Sequence, residues 1–235
     1  MSKTYLKAFA AAIAVFLAVS FIGCGKTDKE IIIPEGMDAE DIYELGIRYD
    51  TGVGVKQDKK AAVKCFHLAA DRGHAGAQMD LGAALILGEG IEKDEAEAVN
   101  WFRKAAEQGF AMAQNNLGMC YFDARGVAQD KAEALKWMRQ AADQGYAEAQ
   151  YNMGNFCRRG DGMAPDKAEA VKWYRKAADQ GYVPAQNNLG MCYLFGDGVE
   201  QNDAEAVIWL GKAAAGGDKS SQAALDWIKA GKPPR

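Results

Sequence analysis

Side chains that act as nucleophiles or proton carriers are scarce in this 235-residue chain. Beyond residue 37 the serines are Ser220 and Ser221, the threonine is Thr51, and the histidines are His67 and His74. The sequence has no G-x-S-x-G, S-x-x-K or H-E-x-x-H motif, so the usual patterns assemble neither a serine–histidine mechanism nor a two-histidine zinc site. We therefore expect no enzyme activity, no catalytic residue, no cofactor and no metal site.

The chain also lacks a large excess of charge of either sign. The chain has 28 basic and 32 acidic residues, a net charge of −4, without a long run of either sign. Nucleic-acid-binding domains usually carry a concentrated basic surface. We therefore expect no nucleic-acid partner.

The first residues differ from the rest of the chain. Lys3 and Lys7 precede an uncharged segment over residues 8–22. A basic start followed by a short apolar segment and a small residue is typical of a secretory signal peptide. The motif Phe21-Ile22-Gly23-Cys24 then resembles the bacterial lipobox, with phenylalanine where leucine is usual. We predict a signal peptide over residues 1–23 and a lipid on Cys24.

An uncleaved anchor helix is the alternative interpretation of this segment. The uncharged stretch 8–25 has eighteen residues, which is the lower limit for a membrane span. Either way the remainder lies outside the cytoplasmic membrane, because the two lysines stay inside. Gly25 stands where an inner-membrane lipoprotein of Gram-negative bacteria usually has aspartate, so the resemblance implies an outer-membrane address. Residues 24–37 are expected to form the lipidated cysteine and a tether on the periplasmic side of the cell envelope.

A period of 36 residues runs through the rest of the sequence without insertion or deletion. It is marked by Gly46, Gly82, Gly118, Gly154 and Gly190, and its other columns repeat a pair of alanines, a tryptophan and two further glycines. Such a period indicates a stack of identical helical units. We place five copies over residues 38–217 and a capping helix with a tail over residues 218–235.

Each copy is expected to fold as two helices. In the third copy, a helix begins near Ala111, and Gly118 within it predicts that another helix packs too closely for a β-carbon. The second helix begins after Asp130, which with Glu133 predicts a capping box, as do Asp94 and Glu97 in the second copy. Gly145 is expected to end that helix in the left-handed conformation.

The pattern Ala113-Gln114-Asn115-Asn116-Leu117-Gly118-x-x-Tyr121, with Gly126, Asp130, Trp137 and Gly145 after it, resembles the Sel-1-like repeat family. This family is related to the tetratricopeptide repeat. The resemblance implies an all-α fold, a right-handed superhelical solenoid of helix–turn–helix repeats. It also implies a role as an adaptor or scaffold for other proteins.

The cysteines beyond Cys24 are interpreted as small core residues. They are Cys65, Cys120, Cys157 and Cys192, at most one in each repeat. Some family members carry a cysteine pair in each repeat, and a minority of those have been linked to β-lactam binding. This sequence departs from that pattern, which weakens the case for a β-lactam or cell-wall hydrolase.

Partner contacts are predicted on the first helix of each repeat, which usually lines the inner curve in this family. Positions opposite the core face of that helix form two rows. The candidate residues of the first row are Asn115, Tyr151 and Asn187, and those of the second row are Met119, Asn155 and Met191. Met79, Met119, Tyr151 and Met191 together are more apolar than a solvated face requires, although a solvated face is the alternative. The neighbouring Asn116, Asn152 and Asn188 are expected to link adjacent repeats.

The functional expectation is a monomeric, lipid-anchored envelope scaffold that binds a protein or peptide in a concave groove of these first helices. A structural component of an envelope assembly or polysaccharide export machine is the alternative. A hydrolase is the weaker third hypothesis.

Overall fold

The computed structural model of the chain describes residue 33 and residues 36–231. The predicted signal peptide, the lipidation of Cys24 and the last four residues therefore lie outside the described residues. The described part contains eleven α-helices and no β-strand, which confirms the all-α class. The helices are α1 Ala39–Thr51, α2 Lys59–Asp71, α3 Ala75–Leu87, α4 Glu95–Glu107, α5 Ala111–Asp123, α6 Lys131–Asp143, α7 Ala147–Arg159, α8 Lys167–Asp179, α9 Val183–Phe195, α10 Asp203–Ala215 and α11 Lys219–Lys229.

The helices form two compact units that meet in sequence at Phe110 and Ala111. In the first unit, α1 packs against α2, α2 against α3, and α3 against α4. In the second unit, α5 to α11 do the same. Each repeat is thus a helix pair, and each pair buries its apolar face against a neighbour within its unit.

The glycine in the first helix of each repeat marks the closest approach within the helix pair. A β-carbon on Gly118 would lie 2.6 Å from Cγ of Met138 and 3.0 Å from the carbonyl oxygen of Ala134, both in α6. Gly82 meets Phe102 at 2.7 Å, and Gly190 meets Leu210 at 2.7 Å. The predicted reason for this column of glycines is confirmed.

The second helices begin as the sequence predicts, but only half of the capping box forms. The carboxylate of Asp94 accepts from the backbone N–H of Glu97 at 2.8 Å. The return bond is absent, because the N–H of Asp94 already donates to the carbonyl of Leu85 at 3.1 Å. The carboxylate of Glu97 instead accepts from the indole N–H of Trp101 at 3.1 Å. The reciprocal capping box was therefore a wrong prediction.

The predicted helix ends are confirmed. Gly145 has a φ of 91°, in the left-handed region that glycine adopts without strain. The predicted capping helix is α11, which packs against α10 and buries Leu225. No helix in the described residues has the length and apolar character needed to cross a membrane.

Candidate functional site

The six predicted partner-binding residues all lie in the second unit, on the first helices α5, α7 and α9. Five of them are half-buried: Met119, Tyr151, Asn155, Asn187 and Met191. Asn115 is completely buried, with 0% of its surface exposed. The six residues are thus not equally accessible. The role of each one is therefore inferred from its own contacts.

Asn115 links two repeats and does not face solvent. Its side-chain oxygen accepts from Nδ2 of Asn152 at 3.0 Å, and its own Nδ2 donates to Glu148 at 3.4 Å. Both partners belong to α7 of the following repeat. The prediction that Asn115 is an exposed contact residue is wrong, because α7 covers the side of α5 that appears free on an isolated helix. Met79 is likewise buried, at 9% exposure.

Asn187 holds the capping helix. Its Nδ2 lies 2.9 Å from Oδ2 of Asp218 and 2.7 Å from Oγ of Ser221. Asp218 is the N-cap of α11 and accepts from the backbone N–H of Ser221 at 2.7 Å. These hydrogen bonds, led by that from the Ser221 hydroxyl, lower the pKa of the Asp218 carboxyl. Sequence reasoning missed this role, because α11 lies outside the repeat pattern that was compared.

Asn155 and Tyr151 belong to a polar and aromatic cluster between repeats. Oδ1 of Asn155 accepts from the hydroxyl of Tyr174 at 2.8 Å and from Nδ2 of Asn188 at 3.3 Å. The ring of Tyr151 lies 5.5 Å from that of Tyr182. Burial raises the pKa of Tyr174 to about 12, so its hydroxyl stays protonated at a higher pH than an exposed tyrosine does. The predicted inter-repeat bonds of Asn152 and Asn188 are confirmed.

A hollow of about 610 Å³ opens beside Asn187 and Met191 in the second unit. Its wall combines the end of α7, the start of α8 and one face of α9. Phe195, the last residue of α9, projects into solvent with 47% of its surface exposed. The lining residues are Arg158, Lys167, Asn187, Asn188, Met191, Cys192, Phe195, Gly196 and Asp197. We call this the α9 hollow.

The α9 hollow carries one more positive charge than negative. Nζ of Lys167 lies 2.8 Å from Oδ1 of Asp197, and Nε of Arg158 lies 2.9 Å from Oδ2 of the same carboxylate. The bond from Lys167, with that from Arg158, lowers the pKa of Asp197. Two cations therefore share one carboxylate.

Equivalent junctions between repeats have a different balance. In the first unit, Lys59 lies 2.8 Å from Asp50 and 3.1 Å from Glu89, so one cation faces two carboxylates. In the second unit, Lys131 pairs with Asp161 at 3.2 Å. An excess of positive charge beside an exposed aromatic ring thus distinguishes the α9 hollow from these two junctions.

Sequence reasoning identified Asn187 and Met191 in this hollow but missed Arg158 and Phe195. The last residue of the first helix differs in all five repeats, so the repeat pattern does not single out Phe195; the other four are Thr51, Leu87, Asp123 and Arg159. The two rows predicted to contact a partner both stop short of the helix end.

The cysteines and histidines do not form a reactive group in the described residues. Cys65, Cys120, Cys157 and Cys192 are free and buried, which confirms their assignment to the core. Burial raises the pKa of the Cys65 thiol to about 11, which suppresses the nucleophilic thiolate. His74 is the N-cap of α3, where its Nδ1 accepts from the N–H of Ala77 at 3.0 Å. No group of three or more His, Cys, Asp or Glu residues suited to a metal ion occurs in the part of the chain that the structure describes.

Comparison with known proteins gives one family. The Sel1 repeat model matches residues 39–74, 75–110, 111–146, 147–182 and 183–218. A search among curated proteins returns no match.

Solved structures of Sel1 repeat proteins agree with this result. A protective antigen of uropathogenic Escherichia coli with an SLR fold is 37% identical over 81% of this chain, with a TM-score of 0.76. The chain spans 41% of the length of that antigen. A Sel1 repeat protein from Oxalobacter formigenes is 34% identical, with a TM-score of 0.76 and coverage of 81% of this chain and 76% of that one. A putative Sel1 repeat protein from Klebsiella pneumoniae has 22% identity and a TM-score of 0.53 over 81% of this chain and 93% of its own, which shows a shared fold alone.

Proposed function

Because this chain belongs to the Sel1 repeat family, whose members generally mediate protein–protein interactions, we propose that it is a scaffold whose α9 hollow binds a segment of another protein. The observation that carries this proposal is the exposed ring of Phe195 beside Arg158 and Lys167. An aromatic anchor next to a basic side chain is the combination that dominates the binding energy of many protein interfaces.

The chemistry of the hollow specifies the partner segment. Phe195 and Met191 offer apolar surface, and a large apolar side chain of the partner fits against them. Arg158 uses Nε for Asp197 and keeps the rest of its guanidinium for a second carboxylate. The segment therefore carries an acidic group next to a large apolar side chain.

Some of the predicted residues support the site without contacting the partner directly. Asn115 and Asn155 fix the spacing of α5, α7 and α8 through their hydrogen bonds. Asn187 lines the hollow and also holds α11. A change at these positions alters the shape of the hollow, whereas a change at Phe195 or Arg158 alters the contact surface itself.

We further propose that the scaffold is attached to a membrane of the bacterial envelope by a lipid on Cys24. The support is the basic and apolar leader with its lipobox-like motif. Several acyl chains on one cysteine give stable attachment, because each buried CH₂ contributes about 0.8 kcal/mol. The partner is then a protein or a domain that reaches the periplasmic side of that membrane.

Site-specific photo-crosslinking in living cells tests the proposed site. A photoreactive amino acid replaces Phe195 in one strain and Leu87 in a control strain. Leu87 is the matched control, because it ends the first helix of the second repeat and is 66% exposed. We expect a crosslinked protein at position 195 that is missing at position 87, with the crosslink mapped to a segment that has an acidic and a large apolar residue. The same products at both positions would contradict the proposal.

A further inference from the structure

The second helix of the first repeat, α2, borders a hollow of about 490 Å³. Its apolar lining consists of Val63 and Leu68 of α2 and Ile91 from the loop before α4. Lys60 and Lys64 also line it, and both are exposed. The remaining lining residues are His67, Asp71 and Gly90. We call this the α2 hollow, and its volume falls in the range of about 300–1,000 Å³ that is usual for binding sites.

Leu68 distinguishes the α2 hollow from the same place in the other repeats. The later repeats have Lys104, Gln140, Lys176 and Lys212 at this position. Nζ of each of these three lysines lies 3.7 to 3.9 Å from the centre of the tryptophan ring three residues earlier. The first repeat has Cys65 in place of that tryptophan, so Leu68 has no indole ring of its own repeat to cover. Leu68 is half-buried and offers apolar surface to another segment.

The chain enters the first repeat beside the C-terminal end of α2. Nη1 of Arg72, the residue after α2, donates to the carbonyl oxygen of Met37 at 2.5 Å. Three repeats later, Nε2 of Gln180 donates to the carbonyl oxygen of Gly145 at 2.9 Å, across the same 35 residues. Gly145 follows α6, the second helix of the preceding repeat. Met37 therefore stands where the second helix of a preceding repeat would end, and the residues before it approach α2 along the flank that such a helix would cover.

The residues before Met37 are apolar where a free linker would be polar. Met37 itself is 9% exposed, and Ile33 is half-buried. Ile31 and Ile32 precede Ile33 directly, in a tether that is otherwise polar. Three consecutive isoleucines are unfavourable in water and are expected to bury their side chains against a protein surface. We call Ile31, Ile32 and Ile33 the isoleucine segment.

We propose that the isoleucine segment lies in the α2 hollow, so that the tether covers the first repeat. The positions Arg72, Leu68, Lys64 and Lys60 follow one another at intervals of four residues and form a ridge along α2. This ridge is about 18 Å long. Residues 31–36 cover about 20 Å when extended. A chain held at Arg72 through Met37 therefore reaches the hollow with its isoleucines.

Charge favours the same placement. Glu30 and Glu35 flank the isoleucine segment, whereas two lysines line the hollow. The carboxylate of Asp71 in the hollow already lies 3.0 Å from Nδ1 of His67. Exposed ion pairs contribute little to binding. The apolar contact therefore supplies the affinity, and the charges favour this segment over a basic one.

Docking of the tether sets how far the first repeat can move from the proposed lipid on Cys24. The free linker shortens from residues 25–36 to residues 25–30. Its reach falls from about 40 Å to about 20 Å. The docking itself depends neither on the lipid nor on the α9 hollow.

Disulfide trapping in the full chain tests this placement. Ile32→Cys is combined with Lys60→Cys in one variant and with Glu44→Cys in a control. Lys60 and Glu44 are both exposed. Glu44 lies in α1 only seven residues after Met37, a distance of about 10 Å, so an undocked tether reaches it more easily than it reaches Lys60. The chains are oxidised with copper–phenanthroline, and the linked cysteines are mapped by mass spectrometry.

We expect more linkage between positions 32 and 60 of one chain than between positions 32 and 44. Adding Leu68→Lys should reduce the link to position 60 about tenfold, because a large apolar contact is lost. Lysine stands at this position in three other repeats, so the helix tolerates it. Gln140→Lys makes the matching change in α6 and should leave the link unchanged.

A link to position 44 that equals or exceeds the link to position 60 would overturn the inference. An unchanged link to position 60 in the Leu68→Lys variant would also overturn it. So would a link between positions 32 and 60 that is found only between two chains, because a second copy would then fill the hollow.

Discussion

Gly118 in α5 faces Met138 in α6 so closely that a β-carbon on the glycine would lie 2.6 Å from Cγ of the methionine. The same contact, made by a phenylalanine, methionine, tyrosine or leucine of the second helix, recurs at the corresponding glycine of every repeat. It sets the distance between the two helices of each repeat and so the shape of every surface built on them.

Gly118→Ala should destabilise the protein by about 1–3 kcal/mol, because an overpacked core costs more than the helix propensity gained from alanine. Gly211→Ala is the control, since this glycine is also helical but meets no atom within 4 Å. The control should stabilise the protein by about 0.5–1 kcal/mol. Urea denaturation of both variants measures the difference, and two effects of the same sign would be inconsistent with the close helix contact.

Asp80→Asn should stabilise the protein at neutral pH. The Asp80 carboxylate accepts from the hydroxyl of Tyr43 at 2.8 Å, and burial raises its pKa. A raised pKa in the folded state means that folding favours the protonated acid. Above that pKa the carboxylate is charged and destabilises the folded state. This destabilisation is lost as the pH falls through the folded-state pKa. Asparagine keeps an acceptor for Tyr43 without the charge.

The advantage of Asp80→Asn over wild type should therefore shrink as the pH is lowered. Thermal denaturation across a pH series measures it, with exposed Asp143→Asn as the control. A stability difference that does not change with pH would argue against a desolvated carboxylate at this position.

Asn187→Ala should loosen α11. The side chain lies within hydrogen-bonding distance of the Asp218 and Ser221 side chains at the start of that helix. Loss of these bonds should cost about 1–2 kcal/mol and increase hydrogen exchange in residues 219–229 while α5 to α8 remain protected. Exposed Gln222→Ala is the control, and uniform exchange across the second unit would show that Asn187 has no special link to α11.

Cys24→Ala should release the protein from the membrane and remove its labelling by a clickable fatty acid. The reason is that a lipid on this cysteine supplies the proposed attachment. Cys157→Ala removes a buried thiol of the repeats and should leave both properties unchanged. Membrane association of Cys24→Ala without labelling would instead indicate an uncleaved anchor helix.

The sequence predicted the features that repeat and missed those that depend on neighbours. The column that contains Gly118 and the N-cap column that contains Asp94 recur in register, so the helix pairs and their contacts followed from periodicity. The accessibility of Asn115 did not follow, because a helical wheel describes one helix and takes no account of the next repeat packed against it. Glu97 binds Trp101 for a similar reason: the N–H it was expected to satisfy is already bonded to Leu85 in the preceding helix.

The α9 hollow was predicted only in part from the sequence. Met191 and Asn187 were found because they belong to the rows predicted to contact a partner, whereas Phe195 and Arg158 stand at positions where all five repeats differ. In a repeat protein the regular positions specify the fold, and the departures from regularity mark the surfaces that distinguish one member from another.

The central claim is that the α9 hollow binds a partner segment, and calorimetric titration of the captured segment tests it most directly. Wild type, Phe195→Ala, Arg158→Gln and the control Leu87→Ala are titrated with a synthetic peptide of that segment. We predict at least a tenfold loss of affinity for Phe195→Ala and for Arg158→Gln, as expected for hot-spot residues, and none for Leu87→Ala. Unchanged affinity in folded Phe195→Ala and Arg158→Gln would contradict the account.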